Sequence, residues 1–248
     1  RGVCIMINLV VKDLKKNFGG LHVLKGVSFE INGPELIGLI GPNGAGKTTL
    51  TNVLDGAIKP NSGTVYLGGN RIDQLQPFEV ARHGLGRTFQ VTRSFRRMTV
   101  LENLMVPALA LDQGLSRSEI DDKAMEVLEF LTVDHLRNEY AKSLSGGQQK
   151  LLELGRLLML NPDVIILDEP FAGVHPKLME IIYKYIERVN NDGTAIILIS
   201  HQMDSIFSLC KRLLVLNYGD LIADGTPDVV KNDPTVIEAY LGSDDEED

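Results

Sequence analysis

The sequence predicts an α/β fold built on a mainly parallel, doubly wound sheet, and three observations carry that prediction. Two unbroken apolar runs, VIIL at 164–167 and AIILI at 195–199, have strand length and no polar alternation, as expected of strands covered on both faces. Between them, PKLMEIIYKYIERVN spaces its apolar residues three and four apart, with Pro176 in the first turn of the expected helix. Ahead of both, ELIGLIG runs through a glycine-rich loop directly into the helical stretch TTLTNVLDGAI, a strand–loop–helix unit. Buried strands joined by helices form parallel sheets that take ligands at the carboxyl ends of their strands.

The elements follow in order. INLVVKDL and HVLKGVSFEI read as strands before that unit, and GTVYLGG and NRID as short extended pieces after it. A helix is expected around Pro77 to His83 and a short strand in GRTFQ. From 91 to 143 the strand signal fades. There MTVLENLMVPALA and SRSEIDDKAMEVLEFL carry helical spacing, the second with Ser116 and Glu119 as a capping box, so a helical insertion is predicted. LSGGQ at 144–148 opens a helix that ends near Asn161 and Pro162, and VIILD follows as a buried strand. After AIILIS, MDSIFSLCKR reads as a helix and RLLVLNYGDLIADG as a hairpin turning at Tyr-Gly-Asp. The expected division of the single domain 1–248 is a core from 1–90 and 144–226, a helical insertion over 91–143, and a C-terminal helix with an acidic tail over 227–248.

Composition narrows the function classes. With 248 residues, 44% of them hydrophobic and 23% charged, the chain can bury a full core and is neither fibrous nor disordered. Most of the net charge of −8 sits in the terminal SDDEED, and the balanced body argues against nucleic acid as a partner. RTFQVTRSFRR is a local exception, with Arg87, Arg93, Arg96 and Arg97 on one stretch that reads as a solvated loop or as a docking surface. Cys4 and Cys210 match no metal spacing, which fits a reducing, cytosolic setting. No apolar run approaches the roughly 18 residues of a membrane span, and no signal peptide is evident.

Two stretches read as phosphate grips. In GPNGAGKT, at 41–48, Gly41, Gly44 and Gly46 let the backbone wrap closely enough for its N–H groups to hold a phosphate. Lys47 adds charge between phosphates, and Thr48 a hydroxyl for Mg²⁺. In LSGGQ, Ser145, Gly146, Gly147 and Gln148 open a helix whose free N–H groups and dipole also suit an anion. VIILDEP ends in Asp168, placed to orient Mg²⁺ through water, and Glu169, placed to polarise an attacking water. His201 follows a strand end, Gln90 could touch a metal and the attacking water or merely decorate a loop, and Phe18 could stack on a base or fill a core.

In this order Phe18, GPNGAGKT, Gln90, LSGGQ, VIILDEP and His201 resemble the ATP-binding cassette (ABC) ATPases over almost the whole chain. The resemblance implies a P-loop NTPase (RecA-like) core with an N-terminal antiparallel β subdomain and an inserted α-helical subdomain. It implies ATP hydrolysis with ATP and Mg²⁺ as cofactors. It gives an A-loop aromatic at Phe18 and a Walker A segment of Gly41, Pro42, Asn43, Gly44, Ala45, Gly46, Lys47 and Thr48 followed by Thr49. It further gives a Q-loop at Gln90, a signature at 144–148, a Walker B strand at 164–169, a D-loop at 172–176 and a switch histidine at His201. Catalysis then falls to Glu169, His201, Lys47 and Gln90, and the metal to Thr48, Gln90 and Asp168.

In that family the signature helix serves the nucleotide of a second cassette packed head to tail, which accounts for two grips on one chain. The implied partners are a second ABC subunit, identical or not, and integral membrane permease subunits, with the chain peripheral on the inner face of the cell membrane. The FGG at 18–20, GRTFQ and the ending GTPDVVKNDPTVIEAYLG resemble the branched-chain amino acid importers. An exporter cassette, for example for lipid, would share every catalytic residue, and a soluble non-transport ABC ATPase is the third reading. Two departures stand out: His175 occupies a D-loop position that is usually Asp or Asn, and the switch segment reads SHQMD.

Overall fold

The structure is a computed structural model that describes residues 8–88, 94–111 and 114–241. Its elements in chain order are β1 (Asn8–Phe18), β2 (Leu21–Asn32), β3 (Leu36–Ile40), α1 (Lys47–Leu54), β4 (Ser62–Leu67), β5 (Asn70–Arg71), α2 (Pro77–Arg82) and β6 (Leu85–Arg87). Then come α3 (Val100–Ala110), α4 (Arg117–Phe130), α5 (Gly146–Leu160), β7 (Val164–Asp168), α6 (Pro176–Asn191), β8 (Ala195–Ile199), α7 (Met203–Leu209), β9 (Arg212–Asn217), β10 (Asp220–Gly225), α8 (Pro227–Lys231) and α9 (Pro234–Leu241).

Among the described residues the strands form two sheets. One is antiparallel, in the order β2-β1-β4-β5, and β1 bulges between Val11 and Leu14, where Asp13 takes a positive φ of 44°. The other runs β10-β9-β3-β8-β7-β6, parallel except for β10. The two sheets are the mainly parallel core and the N-terminal antiparallel part that the resemblance implies.

The two apolar runs are explained by what covers each face of the parallel sheet. Side chains alternate along a strand. Ile165, Leu167, Ile196 and Leu198 pack with Leu151, Leu154, Ile182 and Ile186 of α5 and α6, whereas Val164, Ile166, Ile197 and Leu214 pack with Leu9, Val11 and Val65 of the antiparallel sheet and Leu50 of α1. With both faces dry, no position can be polar without a partner.

Helices α3 and α4 lie against α5, with Leu104, Ile120, Ala124 and Val127 in the same core. Gly155 of α5 permits their close approach, since a Cβ there would stand 2.9 Å from Leu104 Cδ2 and 3.0 Å from Leu131 Cδ1. Helix α7 stops at Leu209 instead of continuing through Arg212. That arginine is drawn into β9, where it donates to Asp224 (2.7 and 2.8 Å), Glu35 (2.9 Å) and the Glu30 carbonyl (2.9 Å). No helix among the described residues is long and apolar enough to cross a membrane.

Candidate functional site

The site lies at the carboxyl edge of the parallel sheet, where β3, β8 and β7 are neighbours. The chain leaves β3 at Gly41 with φ 146°, and a Cβ there would fall 2.0 Å from the Leu216 carbonyl oxygen, so only glycine passes β9 at this distance. Residues 42–46 then curl into α1. The Ala45 carbonyl accepts a hydrogen bond from Gly219 N–H (3.0 Å), in the two-residue Tyr218–Gly219 turn between β9 and β10, and the Gly219 carbonyl accepts from Lys25 N–H (2.9 Å). Both turn residues have positive φ (43° and 86°), as a tight hairpin requires. Lys47 folds over the loop and donates to the carbonyls of Gly41 (2.6 Å) and Pro42 (2.9 Å). Burial lowers its pKa, opposed by the charges of Glu169 and Asp168. Thr48 is exposed on the first turn of α1, and Thr49 is half-buried behind it.

Asp168 is fixed by a side chain that the sequence left among surface arginines. The Arg87 guanidinium, 5% exposed, donates to Asp168 Oδ2 (2.9 Å), Asp55 Oδ2 (2.7 Å) and Asn52 Oδ1 (2.7 Å). It therefore ties the end of β7 to α1. Of the other three arginines, Arg96 and Arg97 are exposed and Arg93 lies outside the described residues. Asp168 N–H also donates to Thr88 Oγ1 (3.0 Å). Arg87 takes one carboxylate oxygen, which leaves the other for a hard cation or its water. The described residues hold no cluster of three His, Cys, Asp or Glu fit to bind a metal unaided. The single Asp168 oxygen left by Arg87, with the Thr48 hydroxyl exposed at the start of α1, fits Mg²⁺ bound largely through phosphates and water.

Glu169 is buried and takes a positive φ of 49°, a left-handed conformation that costs a non-glycine residue on the order of 1–3 kcal/mol. Its N–H donates to the Ile199 carbonyl (2.9 Å), and its own carbonyl accepts from Lys150 Nζ (2.5 Å). The side chain accepts from Ser200 Oγ at Oε2 (3.4 Å), while the buried Oε1 has no hydrogen bond and stands 3.6 Å from His201 Nε2. Burial raises the carboxyl's pKa, with the His201 charge opposing it. His201 is exposed, so the carboxylate sits behind an imidazole open to solvent. Lys47, Asp168, Glu169 and His201 are thus gathered on one edge, in reach of a phosphate chain and a water.

Of the remaining candidates, Gln90 lies outside the described residues. Phe18 ends β1 half-exposed, with Lys16 Nζ 5.1 Å from its ring centroid. Ser145 caps α5 in a reciprocal box: its Oγ accepts from Gln148 N–H (3.4 Å) and Gln148 Oε1 accepts from Ser145 N–H (2.9 Å). Ser145 and Gly146 are exposed, and among the described residues no hydrogen bond or ion pair joins 145–148 to 41–49. His175 caps α6, its Nδ1 accepting from Lys177 N–H (3.3 Å), which is the service an Asp or Asn would give there. Sequence reasoning missed Lys150, Arg87 and Ser200. For Arg87 a signal existed, a charged residue closing the apolar strand of GLGR.

Comparison with known proteins gives the family. The family model described as ABC transporter matches residues 24–172, and one described as branched-chain amino acid ATP-binding cassette transporter matches 221–246. The high-affinity branched-chain amino acid transport ATP-binding protein LivG of Salmonella typhimurium is 40% identical over 248 residues, covering 94% of this chain and 97% of that one. The lipopolysaccharide export system ATP-binding protein LptB of Escherichia coli is 37% identical over 239 residues, covering 96% and 99%. Among solved structures, the ADP conformation of an ABC transporter cassette superposes with a TM-score of 0.83 at 37% identity, covering 96% of this chain and 99% of that one. A dimeric cassette in a post-hydrolysis state with ADP and Pi gives 0.79 at 26% identity, covering 88% and 98%.

Proposed function

We propose, since the chain belongs to the ABC transporter family of ATP-hydrolysing subunits, that it powers a membrane importer of branched-chain or other hydrophobic amino acids by closing as a head-to-tail pair around two MgATP. The observation that carries the chemistry is the convergence of Lys47, Asp168, Glu169 and His201 on one sheet edge. In this reading residues 41–49 cradle the phosphates, with Lys47 between them, and Phe18 stacks on the adenine. Glu169 receives a proton from the attacking water, a role suited by its raised pKa and its unpaired Oε1. His201 contacts the γ-phosphate or that water. Thr48, Asp168 and, by resemblance, Gln90 hold the Mg²⁺, which supplies charge neutralisation on the phosphates.

The lack of any bond between 145–148 and the chain's own loop supports the pairing. Ser145, Gly146, Gly147 and Gln148 are open to the nucleotide of a second copy or a related subunit. The permease would seat in the cavity of about 530 Å³ beside β6, lined by Phe78, Arg82, Val106, Pro107, Arg156 and Leu157. In this reading the protein docks peripherally on the inner face of the membrane, and nothing in the balanced body calls for nucleic acid. The match at 221–246 favours import of branched-chain amino acids, and the comparable similarity to LptB makes a lipid-export cassette the second reading.

Glu169→Gln is expected to bind MgATP, to hydrolyse it at least ~100-fold more slowly, and to run as a dimer on a sizing column. Ser145→Arg placed in that variant should return it to a monomer with nucleotide affinity intact. A monomer at saturating ATP without the second change overturns the pairing. Co-purification with permeases and an external binding protein, as against a lipid-export complex, decides between the two transport readings.

A further inference from the structure

We propose that Lys150 is the positioning residue that holds Glu169 in its working conformation, so that the helix opened by the signature loop sets the geometry of the chain's own general base. The inference rests on the pairing proposed above.

Three observations converge on it. Lys150 lies in α5, five residues beyond Ser145, and is only 7% exposed, yet no carboxylate among the described residues lies within ion-pair distance of it. A buried ammonium must find acceptors, and the two it has are main-chain carbonyls, Glu169 O (2.5 Å) and Ala172 O (3.1 Å). Those carbonyls bracket the turn that leaves β7. The first belongs to the residue in left-handed conformation, whose N–H is already held by β8 at Ile199.

Glu169 is therefore clamped on both sides of its Cα, by the sheet at N–H and by α5 at C=O. A strained φ persists only where the surroundings over-determine it. Without the ammonium the 169–172 turn keeps a single weak bond of its own, Ala172 N–H to Glu169 O at 3.3 Å, and the peptide after Glu169 can rotate. The carboxylate would then leave the place where a water meets the γ-phosphate. Because Lys150 sits about 7.5 Å along the helix axis from the signature cap, an axial shift of α5 on engaging a partner's nucleotide moves the ammonium with it. One copy's signature helix thereby reports the partner's ATP to its own base.

Lys150→Met, which keeps length and burial but removes the donor, is the variant to measure, with Lys150→Gln as a second and Lys150→Arg as the conservative control. Expected for Met and Gln is a fall in kcat of about 10- to 100-fold, the scale of a misplaced catalytic group. KM for ATP and the affinity for a fluorescent ATP analogue should stay within about twofold, and the acid limb of the kcat–pH profile should shift. Arg should restore most of kcat. An unshifted acid limb with kcat within a few-fold of wild type overturns the proposal, as does a parallel loss of nucleotide affinity and kcat, which would mark Lys150 as plain scaffold. If Glu169→Gln with Lys150 intact stays monomeric in ATP, the pairing fails and the link between copies falls with it. A normal dimer with unchanged Lys150→Met kinetics sinks the positioning role alone.

Discussion

Glu169 concentrates the conflict between stability and chemistry in this protein. Its carboxyl is buried, one oxygen lacks a hydrogen bond, its backbone is left-handed, and its pKa is raised. A raised folded-state pKa means that, just above the ordinary carboxylate range, the folded protein keeps a proton the unfolded chain has lost. Stability therefore falls as pH rises through that window and stays lower above it. Glu169→Gln should melt above wild type near pH 7.5, in a chain where each ~1 kcal/mol moves the midpoint by about 2–4 °C, and the difference should shrink on acidification. Calorimetry of the two proteins across pH checks it; a gap that widens toward acid would contradict the burial argument. The sequence made this residue visible, because an acidic pair closing VIIL beside a phosphate loop is a rare combination. It did not make the strain visible, since φ depends on what grips the peptide from elsewhere.

Among the elements, β6 is short but consequential. Three residues, Leu85–Arg87, add the last parallel strand and deliver Arg87 to Asp168, Asp55 and Asn52. Removing one member of a buried charge network leaves the others uncompensated, so Arg87→Met should cost about 3–5 kcal/mol in urea unfolding. Adding Asp55→Asn should recover part of that loss, a non-additivity expected of side chains in direct contact. Simple additivity would mean that the network carries no coupling. The sequence allowed Arg87 two surface roles and missed the interior one, because burial of a charge is a tertiary event. Local signals fared better: Ser116 and Glu119 form their predicted box, with Ser116 N–H to Glu119 Oε2 at 2.7 Å, since both partners lie within four residues. Asn103, fully buried, was not read at all. Its amide organises 95–99 by bonding Phe95, Met98 and Thr99, and nothing in ENL distinguishes it from a surface asparagine.

For the whole molecule, the order of motifs was legible because the parallel sheet places every strand's carboxyl end on one edge. Once β3, β7 and β8 are recognised, GPNGAGKT, Asp168, Glu169 and His201 have to meet. What remained hidden are the long-range pins, such as Arg212 to the Glu30 carbonyl and Lys150 to that of Glu169, whose partners lie far apart in the chain. The cavity beside β6 belongs to this scale too, since α2, α3 and α5 each contribute to it. Phe78, 59% exposed at its rim, is expected to anchor the permease. Phe78→Asp should abolish co-purification with membrane subunits while the isolated cassette keeps its ATPase rate; retained co-purification would exclude this face.

The hydrogen bond from Gly219 to Ala45 has a consequence in time. A ribosome builds the chain from its N-terminus, so the loop at 41–46 emerges long before residue 219 exists to hold the Ala45 carbonyl. The parallel neighbours of β3, which are β8 and β9, are likewise late products. A nascent chain can thus display the complete GPNGAGKT motif while lacking the frame that shapes it. Its nucleotide grip is finished only once residue 219 has been made, after the strands that frame the loop are already present.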